Sequence, residues 1–138
     1  MAKHVLYNAS LVANSVDLSD HVSSVEFTVG LNAQPAAAMG ELQDYSMAGT
    51  QKISAVKAKF FADFASSKVY ATFWSLFVNR TTFNVVIKAD AGATAATNPA
   101  WTIPVIISDF PVVNGSRGDA HMVDVTFEPA GTYSVATS

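Results

Sequence analysis

The chain has 138 residues, of which only 14% are charged, against roughly 25% in soluble domains. The length suits one domain with a sizeable core. A formal charge of −3, with Arg80 and Arg117 as the only arginines, argues against a grip on nucleic acid, which needs clustered cations against phosphate. The lack of cysteine excludes disulfides, thiolate metal sites and a cysteine nucleophile.

The opening "MAKHVLYNASLVA" carries a lysine and then apolar residues, but Asn8 and Ser10 interrupt the run. No signal peptide is expected there, and synthesis in a cytosol is. No apolar run approaches the roughly 18–20 residues of a membrane span. In "ANSVDLSDHV", Asn14-Ser15 reads as a tight turn, followed by a short helical turn begun by Asp17 or Ser19. In "SSVEFTVG", Val25, Phe27 and Val29 share one face of a strand and Ser24, Glu26 and Thr28 the other.

The next stretch, "LNAQPAAAMGELQDYSMAGTQ" from Leu31 to Gln51, shows no clear period and reads as a long loop. Most connections in compact domains take only about 4–6 residues. "VKAKFFADF" returns to period two: Val56, Ala58, Phe60, Ala62 and Phe64 oppose Lys57, Lys59 and Asp63, with Phe61 the exception on the polar face. "SSKVYATFWSLFVN" changes period. Val69, Tyr70, Phe73, Trp74 and Phe77 fall at helical spacing, which predicts one amphipathic helix from about Ser67 to Val78, capped by Ser66 or Ser67 and packed on a sheet.

Strand alternation resumes in "TFNVVIK", with Phe83, Val85 and Ile87 on one face, and in "HMVDVTFE", with Val123, Val125 and Phe127. "WTIPVIISDF" is more uniformly apolar, and Pro104 within it predicts an edge strand or a bulge. "DAGATAATNPA" and "VNGSRGDA" are turn-rich loops. There is no internal repeat and no domain boundary. The expected fold is one mainly-β domain over residues 1–138, a β-sandwich or partly closed barrel of antiparallel strands with one flanking helix and a long early loop.

Chemistry is sparse. His21 with Asp17 and Asp20 has the residue types of a metal site, but reads more simply as a capped turn with solvated carboxylates. His121 beside Asp119 reads as a surface ion pair before a catalytic dyad. There is no Gly-x-Ser-x-Gly elbow and no phosphate-cradling glycine loop. The Arg117-Gly118-Asp119 tripeptide and the acceptor-like triplets at Asn8, Asn79 and Asn114 are chance-level matches. Trp74 falls on the helix stripe and reads as core, while Trp101 at a strand start is less determined. No catalytic, metal or cofactor site is nominated.

An ordered set of segments carries a resemblance. "NSVDLSDHVSSVEF", "YATFWSLF", "TFNVVIKADAGATAATNPAW", "DFPVVNGSRGDAHMVDVTFEPAG" and the closing "ATS" resemble, in that order and over nearly the whole chain, the tail tube (major tail) proteins of long-tailed bacteriophages. The loop "AATNPAW" followed by "VDVTF" is the most specific part, and Ser15 departs from the glycine expected in the tight turn. The resemblance implies a structural, non-catalytic β-sandwich. Six copies would form a ring through continuous sheets, and rings would stack into a hollow tube in the virion tail. Its implied partners are further copies of the chain, a tape-measure protein, and tail-terminator and tail-tip proteins. Duplex DNA would pass through the tube without specific binding, and the chain would not insert in a membrane. Six copies at −3 each carry about −18, and like charges repel.

Within Leu31–Gln51, Met39, Leu42, Tyr45 and Met47 are apolar anchors that a solvated loop does not need. They are expected to contact a neighbouring subunit or ring, and to order there on contact. Two alternatives stay open. One is a tail-terminator or neck ring of the same fold type; the other is a sugar-binding sandwich with an aromatic platform at Trp101 or Tyr133.

Overall fold

The computed structural model describes residues 9–66 and 68–137. The opening residues before Ala9, the Asn8 triplet's first residue, Ser67 and the final Ser138 lie outside them. In chain order the elements are β1 (Ser10–Ala13), β2 (Val16–Asp17), β3 (Val22–Glu26), β4 (Val29–Pro35), β5 (Ser46–Ile53), β6 (Val56–Phe61), α1 (Val69–Val78), β7 (Phe83–Lys88), β8 (Ala100–Asp109), β9 (Met122–Pro129) and β10 (Ser134–Ala136). The main sheet is antiparallel, in the order β2-β1-β7-β8-β9-β6-β3, with β10 also paired to β8. It is not a closed barrel. Its two halves share one core, as a sandwich does, and α1 flanks it.

The alternating segments place their apolar faces inward. Val56, Ala58 and Phe60 of β6, Phe83, Val85 and Ile87 of β7, and Val123, Val125 and Phe127 of β9 are all buried. Ala62 and Phe64 fall beyond the end of β6, and Phe64 is exposed. The stretch read as one strand through Val29 divides at Phe27 and Thr28: β3 stays in the main sheet against β6, while β4 leaves it.

Leu31–Gln51 is not a loop throughout. β4 and β5 form a separate two-stranded antiparallel hairpin, pairing Val29 with Ile53 at the base and Pro35 with Ser46 near the tip. Only residues 36–45 connect them. The register shifts between Leu31 and Ala33. Gly49 sits at that bulge, where a side chain's first carbon would lie 2.4 Å from the Asn32 carbonyl oxygen, so only glycine fits.

Pro104 is not on an edge strand, since β8 lies between β7 and β9. The bulge of β8 is elsewhere, between Ile107 and Asp109. The proline is accommodated because β8 changes partner beside it. Residues 100–102 pair with β10, and the β9 pairing begins at Val105. The Pro104 carbonyl accepts the Ala130 N–H at 2.8 Å, so its donorless nitrogen also faces the gap between those partners. Gly131 leaves room there: an added carbon would lie 3.0 Å from the proline ring.

Asn14 and Ser15 both have positive φ, 48° and 66°, and join β1 to β2 as a two-residue type I′ turn. Ser15 therefore takes the left-handed conformation that glycine usually supplies. The following segment is a turn, not a helix: His21 N–H donates to Leu18 O, and the Asp17 carboxylate accepts from Ser19 N–H at 3.0 Å.

Helix α1 begins at Val69, with Lys68 at the N-cap and no side-chain cap, so Ser66 does not cap it. It ends in a Schellman motif: Thr81 N–H reaches Leu76 O, Arg80 N–H reaches Phe77 O, and Arg80 takes φ 53°. Its buried residues are Val69, Thr72, Phe73 and Leu76. Phe73 is fully buried and meets three rings edge-on, Phe60 at 5.2 Å, Phe127 at 5.4 Å and Phe110 at 6.2 Å. Of the expected stripe, Val69 and Phe73 are buried and Tyr70 is half-buried against the core, but Trp74 and Phe77 lie rotated toward solvent, because the helix is apolar around most of its girth and spacing alone does not choose a face.

Two substitutions on this buried face should act in opposite directions. Phe73→Ala removes the ring at the centre of the aromatic contacts and should cost about 3–5 kcal/mol in urea unfolding. The Thr72 hydroxyl is buried without a hydrogen-bond partner. Thr72→Val keeps its shape and should raise stability by about 1 kcal/mol in the same assay.

Candidate assembly surface

The hairpin exposes apolar residues along its length. Met39 and Leu42 at the tip are fully exposed, and Tyr45, Met47, Leu31 and Val29 are also open to solvent. The tip is shaped by three contacts. Ala36 N–H donates to Tyr45 O at 3.0 Å, Glu41 N–H to Ala38 O at 3.2 Å, and the Tyr45 hydroxyl meets Glu41 Oε1 at 3.5 Å. Asn32 Nδ2 donates to Thr50 Oγ1 at 3.0 Å across the bulge. At about 3.3 Å per residue, seven-residue β4 carries the tip roughly 20 Å from the base. At that base Tyr133 donates to Gln51 Oε1 at 3.0 Å.

The four residues singled out in the sequence, Met39, Leu42, Tyr45 and Met47, are thus gathered on one projecting arm. The sequence reading missed a second apolar surface. Tyr70, Trp74 and Phe77 form a row of adjacent rings on the outer side of α1, and Phe64 joins it 5.0 Å from Tyr70. The signal was present as surplus aromatics: one helix face cannot bury them all.

The other sequence candidates resolve into structural roles. His21 does not gather Asp17. Its Nδ1 meets Asp20 Oδ1 at 2.8 Å and its Nε2 meets Asp63 Oδ2 at 2.8 Å, so it ties the turn before β3 to the loop before α1. Asp17 bonds the Ser19 hydroxyl and amide, and Ser19 Oγ accepts the Leu11 N–H at 3.0 Å. Among the described residues no three His, Asp or Glu side chains are placed to hold one metal ion. His121 takes a different partner from Asp119: its Nε2 accepts the Asn114 N–H at 3.2 Å, bracing the loop that carries Arg117–Asp119. Trp101 and Tyr133 pack against the core, Tyr133 edge-on to Phe27 at 6.3 Å, and do not form an open platform.

The hydrogen bond to Asp20, helped by the one to Asp63, raises the His21 pKa above its ordinary value despite partial burial. Asp20 is held low chiefly by His21, and Asp63 by the Ala65 N–H and then by His21. Lys68 adds to this group, 3.7 Å from Asp20.

No family profile and no curated protein sequence matches the chain. Solved structures do. A chain in the virion of a native gene transfer agent particle aligns with a TM-score of 0.74, over 94% of this chain and 96% of that one, at 7% identity. A chain in the anti-feeding prophage cap, which terminates a tube, gives 0.72 over 100% and 93% at 7% identity. A chain in the tail of an empty gene transfer agent particle, refined with C6 symmetry, gives 0.67 over 85% and 83% at 9% identity. The fold of this chain is the one found in these tail and tube assemblies.

The His21 bridge predicts a pH dependence. A raised imidazole pKa contributes stability fully below the unfolded value of about 6.5 and loses it as pH rises through the folded value. The lowered carboxylates contribute above their ordinary range and lose that contribution as pH falls through their folded values. The urea midpoint should therefore be higher at pH 5.5 than at pH 8.5, and His21→Ala should flatten that difference.

Proposed function

We propose that the chain is a structural subunit of a phage-type tail tube. Copies associate into rings of six, and rings stack into a hollow tube in the virion tail. The observation that carries this reading is the apolar hairpin arm, unpacked in the subunit, on a fold that recurs in tail and tube particles. An arm of that reach and apolarity is built to be covered by a neighbour. The C6 symmetry of the gene transfer agent tail supports six copies per ring.

The sheet supplies the other half of the design. β3 is a terminal strand of the main sheet, so its outer backbone groups are open to pairing with a strand of another copy. A contact between unlike surfaces that closes by rotation makes a ring, and the same chain repeated makes a stack. The chain's role is mechanical: it encloses a tape-measure protein during assembly and later lets duplex DNA pass. Its net negative charge suits transit, because a basic wall would retain the phosphate backbone. Terminator and tip proteins would bound the tube.

A second reading has an observation of its own. The tube-terminating cap of the anti-feeding prophage aligns as well as the tail chains do, so a terminator ring is the rival within the same fold. Copy number separates the two: a tube protein is among the most abundant virion components, and a terminator forms one ring.

Negative-stain electron microscopy of the purified protein at rising concentration tests the proposal. Rings and tubes with a lumen wide enough for duplex DNA are expected; protein that stays monomeric throughout, and is absent from virions, would sink it. Because Ala33 pairs with Ala48, residues 34–47 can be replaced by Asn-Gly to close a short hairpin. The shortened protein should stay within about 0.5 kcal/mol of the parent in stability and should form no tubes.

A further inference from the structure

The hairpin arm needs an acceptor, and the outer face of α1 has the properties of one. Its rings are continuous. Tyr70 and Trp74 stack with centroids 5.8 Å apart and planes at 12°, Trp74 leads to Phe77 at 6.0 Å, and Phe110 lies 6.5 Å from Trp74. Phe64 is 57% exposed, Val78 55%, Trp74 38% and Phe77 37%. With aromatic side chains burying about 150–250 Å² each, this face leaves on the order of 300 Å² of apolar surface in water.

We propose that the hairpin tip of one copy docks on this aromatic face of a second copy. The inference rests on the assembly reading above and names the partner surface of the arm. Two properties on the two surfaces match. Met39 and Met47 are flexible thioethers, which pack well against ring edges and faces, and Leu42 and Tyr45 add apolar bulk. The tip carries two carboxylates, Glu41 and Asp44, and Arg80 follows α1, so opposite charges meet at that end of the apolar contact, while Lys68 at the other end is already held by Asp20. Counted on both sides, a contact limited by that face removes roughly 600 Å² from water, the size of a weak, reversible contact that strengthens when every copy in a ring makes it.

The arm does not satisfy this face within its own chain, since Met39 and Leu42 are fully exposed. Arm and face are unlike surfaces, and every copy has one of each. Such a contact propagates from copy to copy, and it closes only when the copies complete a ring.

The natural chain has no cysteine, so an introduced pair can react only with itself. The double variant Leu42→Cys with Val78→Cys changes two exposed positions. After mild oxidation of assembled material, a ladder of covalent dimers, trimers and higher species is expected on a non-reducing gel, and neither single variant should give more than dimers. Rings or tubes in the microscope without that ladder would overturn the docking and leave the tube reading standing. A parent protein that never assembles would overturn both.

A mixing experiment guards against a double variant that fails to assemble. Leu42→Glu spoils the arm and Phe77→Glu spoils the face. Each alone should sediment as a monomer, and a 1:1 mixture should give heterodimers through the one intact arm and the one intact face. A mixture that sediments only as monomers would overturn the inference.

Discussion

A knot of phenylalanine rings holds this molecule together. Phe73 on α1 meets Phe60 on β6 and Phe127 on β9, and Phe127 in turn meets Phe83 on β7 at 5.9 Å. These four residues come from the helix and from both halves of the sheet. All are edge-on contacts, the arrangement that the ring quadrupoles favour and that adds about 0.5–1.5 kcal/mol per pair beyond burial. The core is thus complete without any residue from β4 or the tip of the hairpin. That completeness is what allows the arm to project. An isolated two-stranded hairpin is marginal in water, and this one is held at its base by the backbone bond from Ser54 to Thr28 and by the Tyr133–Gln51 contact.

The same sheet accounts for the irregularities that pattern reading found hard to place. A proline can sit in a central strand if the ladder is broken on its nitrogen side, and the exchange of β10 for β9 beside β8 provides the break. A serine can occupy a left-handed turn position when the pairs Ala13–Val16 and Val12–Asp17 close the hairpin on both sides of the turn. Both are cases in which tertiary pairing outweighs a local preference that points correctly but weakly.

Much of the fold was legible in the sequence because period two is strong in β6, β7 and β9, where small or branched apolar residues alternate with lysine, asparagine or aspartate. The hairpin was not, for two physical reasons. It buries neither face, so its sequence is under no pressure to alternate. The bulge at Gly49 also shifts the register midway, which scrambles whatever period remains. The helix was legible as a helix, and the face it buries only in part: Val69 and Phe73 of the expected stripe are buried. Burial went to Thr72 and Leu76 with Phe73, and Trp74 and Phe77 were left outside. The apolar anchors of the arm, Met39, Leu42, Tyr45 and Met47, stood out because they lacked a core to belong to. The aromatic face of α1 was missed because helical spacing assigned its residues to the core.

The low charge content now has a structural meaning. A chain with 14% charged residues places much of its surplus apolar surface in two compact patches, one on a projecting arm and one on a helix, and leaves the rest of its sheet faced with residues such as Lys57, Lys59 and Asp124. Scattered apolar residues would give indiscriminate aggregation, since any copy could stick to any other in any orientation. Concentrating them in two unlike patches fits the directional association proposed above, with Glu41 and Asp44 on one patch and Arg80 beside the other. In the proposed assembly the hairpin's cost in conformational entropy would be incurred where it serves contact, with the rigid core as acceptor and the lightly tethered arm as ligand.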